Sequence, residues 1–273
     1  MKINYQLIVS DFDATLIDDN QRVLPEVKSA IDDYVAAGGI FAVCTGRMLS
    51  SILPQVRALG LKGLVIAYQG TVIADIESGK IIRSGGMGCA EVAKICKSIE
   101  EMGHGLNVYC DEKIYTDYST DNPYLRRYEE IIGVKAVHID GKMSEYVTKH
   151  KMFCQKVLSI VAENEREELY SNLNKLYGSE YDVTCSAKVL VEVSPINDNK
   201  GEALKYLANH YNIPIDKTVA VGDNLNDLSM IKAAGVGCAV GNAVNELKNT
   251  ADFISVSNND GAIAQIIKKF GFA

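Results

Sequence analysis

The chain has 273 residues, 47% of them hydrophobic and 23% charged, which is enough for a full core with a second, inserted unit and leaves no low-complexity or disordered stretch. A net charge of −7 gives no basic footprint for nucleic acid, and no apolar stretch before Asp11 is long enough for a signal peptide or a membrane helix, so a cytoplasmic location without membrane association is expected. The seven cysteines form no Cys-x-x-Cys pair and the four histidines have no ligand spacing, which argues for reduced core thiols and against a zinc site or a histidine-dependent triad.

The first element is the apolar strand Leu7-Ile8-Val9, which runs into Asp11-Phe12-Asp13-Ala14-Thr15. Side chains alternate along a strand, so Asp11 and Asp13 project the same way, and two like charges ~4 Å apart repel by roughly 4 kcal/mol at an effective dielectric of 20. A cation must hold them, and magnesium is well suited because it takes one or two carboxylates together with waters and phosphate oxygens. Taken alone, the pair reads equally as an N-cap or a solvated turn.

A helix opens near Pro25, with Val27, Ala30, Ile31, Tyr34 and Val35 at helical spacing, and Gly38-Gly39 ends it. The strand Ile40 to Cys44 leads into Thr45-Gly46-Arg47, where a hydroxyl and backbone N–H groups can meet phosphate oxygens at a helix entrance, although a plain turn uses the same residues. A helix near Leu49 to Leu59 and a strand at Leu64 to Ala67 continue the βαβ rhythm of a parallel sheet. Thr71 to Asp75 and Lys80 to Arg83 then form a hairpin around Glu77-Ser78-Gly79.

From about Gly85 to Lys188 the pattern changes to a separate α/β unit, with helices at Ala90 to Met102, Tyr124 to Ile132 and Glu163 to Tyr177, and strands at Leu106 to Cys110 and Cys154 to Val161. Val189 to Val193 is expected to return the chain to the first unit. Lys200 follows, just before an amphipathic helix; it is either solvated there or set to neutralise a carboxylate and a phosphate together. The strand Thr218 to Val221 ends in Gly222-Asp223-Asn224-Leu225-Asn226-Asp227, in which Asp223 can complete a metal site and Asn226 can bond a phosphate oxygen. A helix cap at Asn226 or Asp227 would explain one of these residues but not the set. A further strand at Gly237 to Val240 and a helix after Gly261 complete the chain.

In this order the four segments resemble the motifs of the haloacid dehalogenase superfamily, and in particular its Cof-like branch of sugar and cofactor phosphatases. The resemblance runs from Gln6 to the Asp260-Gly261-Ala262 region. It implies an α/β fold, a Rossmann-like parallel-sheet core with helices on both faces (residues 1–84 and 189–273) and an inserted α/β cap (85–188), with the site at the carboxyl ends of the core strands. It also implies Asp11 as nucleophile toward a small phosphorylated metabolite, Asp13 as general acid and then base, and Mg2+ held by Asp11, Asp13 and Asp223. Thr45, Gly46, Lys200 and Asn226 would hold the phosphoryl oxygens, with Asp227 supporting the metal or Lys200. Arg47 would bind substrate, pair with an acid or face solvent.

Two residues depart from the branch pattern. Ala14 stands where glycine is usual, and an ordinary φ is expected there, since a positive one would cost an alanine about 1–2 kcal/mol. Gln69, in Ala67-Tyr68-Gln69-Gly70-Thr71, replaces a shorter amide and has no assigned role. Tyr109, Tyr115, Tyr118, Tyr124 and Tyr128 lie in the expected cap, either as packing or as a surface for a sugar or ring. A phosphomutase that passes the phosphoryl group to another hydroxyl, and a phospho-accepting signalling module, are the alternatives; a leaving-group acid and a large insert speak against the second.

Overall fold

The computed structural model describes residues 2–273. In chain order its elements are β1 (Leu7–Ser10), α1 (Pro25–Ala36), β2 (Ile40–Val43), α2 (Leu49–Ala58), β3 (Leu64–Ala67), β4 (Val72–Asp75) and β5 (Ile81–Ser84). The second unit adds α3 (Cys89–Glu101), β6 (Asn107–Cys110), β7 (Lys113–Thr116), α4 (Pro123–Ile132), β8 (Val137–His138), α5 (Met143–His150), β9 (Lys156–Ile160), α6 (Glu163–Tyr177), β10 (Tyr181–Ala187) and β11 (Leu190–Pro195). The chain closes with α7 (Lys200–His210), β12 (Thr218–Gly222), α8 (Leu228–Ala233), β13 (Val236–Ala239), α9 (Asn245–Thr250), β14 (Phe253–Ile254) and α10 (Ala262–Ile266).

A five-stranded parallel sheet of order β14-β13-β12-β1-β2 forms the core. Its central strands are apolar runs without alternation, as expected where both faces are covered. From β1 the chain moves one way across the sheet and from β12 the other, so right-handed crossovers put α1 and α8 on opposite faces. Helix α10 packs on α1, and α7 on α8. The neighbours β1 and β12 therefore flank a topological switch point, and the crevice beyond their carboxyl ends is where such a sheet binds ligands. The hairpin expected after Ala67 is present as antiparallel β4 and β5, and β3 joins the core sheet through a parallel bridge from Cys44 to Ile66.

The second unit is a six-stranded sheet of order β10-β11-β9-β6-β7-β8. One face packs on α3, α5 and α6 through residues such as Val108, Val157 and Val191. The other, carrying Tyr109, Leu158 and Leu190, packs toward the core unit. One expectation is corrected: the strand at Val189 to Val193 does not return to the first unit, because β11 pairs antiparallel with both β10 and β9. Only Lys188 and Val189 separate β10 from β11, so a hairpin closes locally before any longer connection can compete. We place the return to the core sheet after Pro195.

The expected φ at Ala14 is also corrected. Its φ is +55°, in the left-handed region. The N–H groups of Leu16 and Ile17 both close on the Phe12 carbonyl, and this tight loop after β1 forces the intervening residue over; the Ala14 carbonyl is then held by Asn242 Nδ2 at 2.8 Å. All seven cysteines are free, and six of them are buried. No helix among the described residues is long and apolar enough to cross a membrane.

Candidate active site

The carboxyl ends of β1 and β12 deliver Asp11 and Asp223, and α7 begins at Lys200 between them and Asp227. Lys200 is fully buried and donates to Asp11 Oδ1 at 2.5 Å and to Asp227 Oδ1 at 2.6 Å. A lysine in the first turn of a helix opposes the helix dipole, so this position is set by the carboxylates it meets and not by helix stability. Burial by itself would lower the Lys200 ammonium, but Asp11 and Asp227 outweigh burial and hold it well above the usual lysine range. The other oxygen of Asp227 accepts from the backbone N–H groups of Asp223 and Asn224, at 2.9 and 3.1 Å, which fixes the loop that carries Asp223. That approach needs Gly222, since a Cβ there would lie 2.4 Å from the Asp227 side chain.

Ligand oxygens of Asp11, Asp223 and Asp227 all lie within 4.8 Å of one another. Burial is the main cause that pushes the Asp11 carboxyl up to about 7, opposed by Lys200 and reinforced by Asp227 and Asp13. Burial, followed by the Asp11 and Asp227 carboxylates, likewise raises Asp223 well above the ordinary range. One ammonium among these acids leaves the cluster short of positive charge, and its donors are all hard oxygens. The residues thus fit a hard divalent cation such as magnesium.

Asp13 points elsewhere. Its carboxylate, 43% exposed at the side chain, accepts from Arg47 Nε at 2.9 Å and Arg47 Nη2 at 2.6 Å and lies outside the three-carboxylate cluster. Arg47 is buried, sits with its guanidinium 4.9 Å from the centre of the Phe12 ring, and also donates to Gln21. Of the three roles open to Arg47 in the sequence, it takes the acid pair.

Thr45 is buried, and its hydroxyl accepts from the Arg47 N–H at 3.1 Å, which leaves the hydroxyl proton for an acceptor in the cleft. Gly46 gives up its side-chain space to Gln69, whose Nε2 would stand 2.4 Å from a Cβ at that position. Gln69 and the preceding Tyr68 are both left-handed, with φ of +60° and +51°. This turn brings the Gln69 Oε1 to the Asn226 Nδ2 at 3.0 Å. Gln69 Nε2 and Asn226 Oδ1 are buried without a partner, and both residues line the cleft. A buried amide of this kind is costly unless a ligand satisfies it.

The cleft holds about 340 Å³ and lies between the two units. Asp11, Asp13, Thr45, Gly46, Arg47, Asp223 and Asn226 line its core end. Lys156 reaches across from β9, donating to the Gly46 carbonyl at 3.0 Å and to Glu192 at 2.8 Å, so the second unit is docked on the Thr45-Gly46-Arg47 loop. Glu112 adds a second contact, accepting from the Ser50 N–H and the Tyr68 hydroxyl at 2.7 and 2.9 Å. The sequence had no local signal for Gln21, Lys156 or Glu192, because each joins the site through a long-range contact. Among the tyrosines, Tyr124 and Tyr128 line the cleft, whereas Tyr118 is tied to backbone carbonyls within its own unit.

A family model described as haloacid dehalogenase-like hydrolase matches residues 8–267. The chain is similar to the phosphatase YwpJ of Bacillus subtilis, 29% identical and covering 96% of this chain and 99% of that protein. It is also similar to the 5-amino-6-(5-phospho-D-ribitylamino)uracil phosphatase YcsE of the same organism, 27% identical over 97% of this chain and 96% of that protein. Among solved structures, a haloacid dehalogenase-like hydrolase from B. subtilis superposes with a TM-score of 0.85 at 26% identity, covering 96% of this chain and 99% of the other.

Proposed function

The chain belongs to the haloacid dehalogenase-like hydrolases, in their Cof-like class, and on that premise we propose that it is a phosphatase that hydrolyses a small phosphomonoester, a sugar or cofactor phosphate, through an aspartyl-phosphate on Asp11. The observation that carries this reading is the meeting of Asp11, Lys200, Asp223 and Asp227 at the switch point of the sheet, with Thr45 beside them.

In this mechanism an Asp11 carboxylate oxygen attacks phosphorus as the ester P–O bond breaks. The leaving oxygen takes a proton from the neutral form of Asp13, which requires a carboxyl oxygen of Asp13 to swing out of its pair with Arg47. Asp13 then accepts a proton from the water that attacks the acyl phosphate, releasing phosphate and restoring Asp11. Lys200 offsets the charge of the nucleophile as it nears a dianion, while the Thr45 hydroxyl and the unpartnered Gln69 Nε2 donate to the phosphoryl oxygens, with Asn226 Nδ2 holding Gln69 in place. Asp11 and Asp223 would hold magnesium, with Asp227 supporting them, and the ion would supply the remaining charge neutralisation when bound.

The test is release of inorganic phosphate from a panel of phosphorylated metabolites. EDTA is expected to abolish it and magnesium to restore it; full activity in chelator overturns the metal's role, and no release from any ester overturns the function.

Titration of Asp11 adds a second expectation. Because its carboxyl is raised to about 7, the ion-free site carries a proton below that pH and the ion must displace it. With Asp223 raised as well, the apparent magnesium dissociation constant should therefore rise at least about tenfold per pH unit as pH falls below about 7. Calorimetric titration across that range measures this, and an affinity independent of pH removes Asp11 from the ligand set.

A further inference from the structure

We infer that the alcohol released from the substrate is a flat, largely apolar ring carried on a primary phosphate ester, and not a polyhydroxylated sugar. This rests on the phosphatase reading above and concerns the half of the cleft that faces away from Asp11.

That half is walled by the second unit. Helix α4 contributes Tyr124, Tyr128 and Ile131, and Ile160, Val189 and Leu190 add further apolar lining. Tyr124, Tyr128 and Ile131 stand at i, i+4 and i+7, which is a single stripe of the helix. Apolar side chains are exposed elsewhere too, Leu176 of α6 at 54% among them, but those lie outside the cleft. Here Tyr124 remains 47% and Ile131 39% exposed, although both line the cleft. An apolar stripe left open along a cleft wall is what an apolar ligand would cover.

Most of the polar groups along the same wall have protein partners. The Tyr128 hydroxyl is bonded to the Tyr109 hydroxyl at 2.5 Å. Lys156 is shared between Glu192 and the Gly46 carbonyl, and the Ser186 hydroxyl is bonded to Glu192. Arg127 also lines the cleft and pairs with Glu130 at 3.3 Å along α4. A sugar entering here would lose water from several hydroxyls and find few partners in exchange, which a hydrophobic wall cannot offset. A ring loses little, and it buries both its faces against tyrosine and branched aliphatic side chains.

Comparing kcat/KM for phosphate release from benzyl phosphate and pyridoxal 5'-phosphate with that from glucose 6-phosphate tests the idea, because all three are esters of a CH2–OH group. Acetyl phosphate, with a leaving group too small to reach α4, reports on the core half alone. The ring esters are expected to exceed glucose 6-phosphate by about tenfold or more. Tyr124→Ala and Ile131→Ser, at half-exposed positions that tolerate truncation, should each lower the ratio of benzyl phosphate to acetyl phosphate kcat/KM about tenfold, through KM. Thermal melts check that both variants fold. Equal or better use of glucose 6-phosphate, or a ratio that neither variant moves, overturns the ring assignment while acetyl phosphate turnover keeps the phosphatase reading. Failure to release phosphate from any of these compounds, the acyl phosphate acetyl phosphate included, overturns both.

Discussion

Asp11→Asn is expected to lower turnover by about four orders of magnitude or more while leaving the protein folded, because it removes the attacking oxygen and little else. Asparagine keeps the shape of the side chain and still offers Lys200 an acceptor, and Lys200 retains its 2.6 Å bond to Asp227. The variant also relieves the crowding of acids around Asp223. The wild-type carboxyl is raised in the fold to about 7 from 3.8, so its contribution to stability is fully present below the unfolded value and is lost as pH rises through the folded one. The ion-free variant should therefore melt no lower than the ion-free wild type, with an advantage that opens between about pH 4 and about pH 7 and is constant above. Phosphate release and thermal melts in chelator measure the two halves of this expectation. Retained turnover would remove Asp11 as nucleophile.

Much of this site could be read in the sequence because its strands are buried on both faces. Leu7 to Val9 and Val219 to Val221 are unbroken apolar runs, and the acids that follow them have to lie at one edge of a parallel sheet. Lys200 was legible as a lysine at a helix start, where local stability disfavours one.

Other features depended on contacts that no local pattern carries. Strand β10 went unread because Asp182, Thr184 and Ser186 alternate with the buried Val183 and Cys185, so that half of the strand looks like a polar loop. The Arg47–Asp13 pair was one of three open choices, decided by the left-handed turn at Ala14 that sets the loop after β1. Lys156 and Glu192 were invisible as site residues because they meet only once β9 and β11 are paired. Gln69 stood out as a departure, but its role depends on two consecutive left-handed residues and on the space beside Gly46, neither of which its residue type announces.

Lys200→Met should separate charge neutralisation from packing. Methionine keeps much of the aliphatic stem and fills similar space, but it leaves Asp11, Asp223 and Asp227 grouped with no ammonium among them. Removing one partner of a fully buried ion pair typically costs about 3–5 kcal/mol, a large share of the roughly 5–15 kcal/mol that stabilises a folded domain. In chelator the variant should melt roughly 6–20 °C below wild type, on the scale of 2–4 °C per kcal/mol for a chain of this size. Saturating magnesium should recover a substantial part of that loss, since a cation that binds only the folded state stabilises it by mass action and supplies the missing positive charge. Turnover should stay at least about a thousandfold down even then, because an ion held by Asp11 and Asp223 does not replace the ammonium that lies between the nucleophile and Asp227. Melts with and without magnesium, together with phosphate release, distinguish the two effects. A wild-type melting temperature in chelator would mean that the cluster never needed the lysine charge, and wild-type turnover would mean that the chemistry does not.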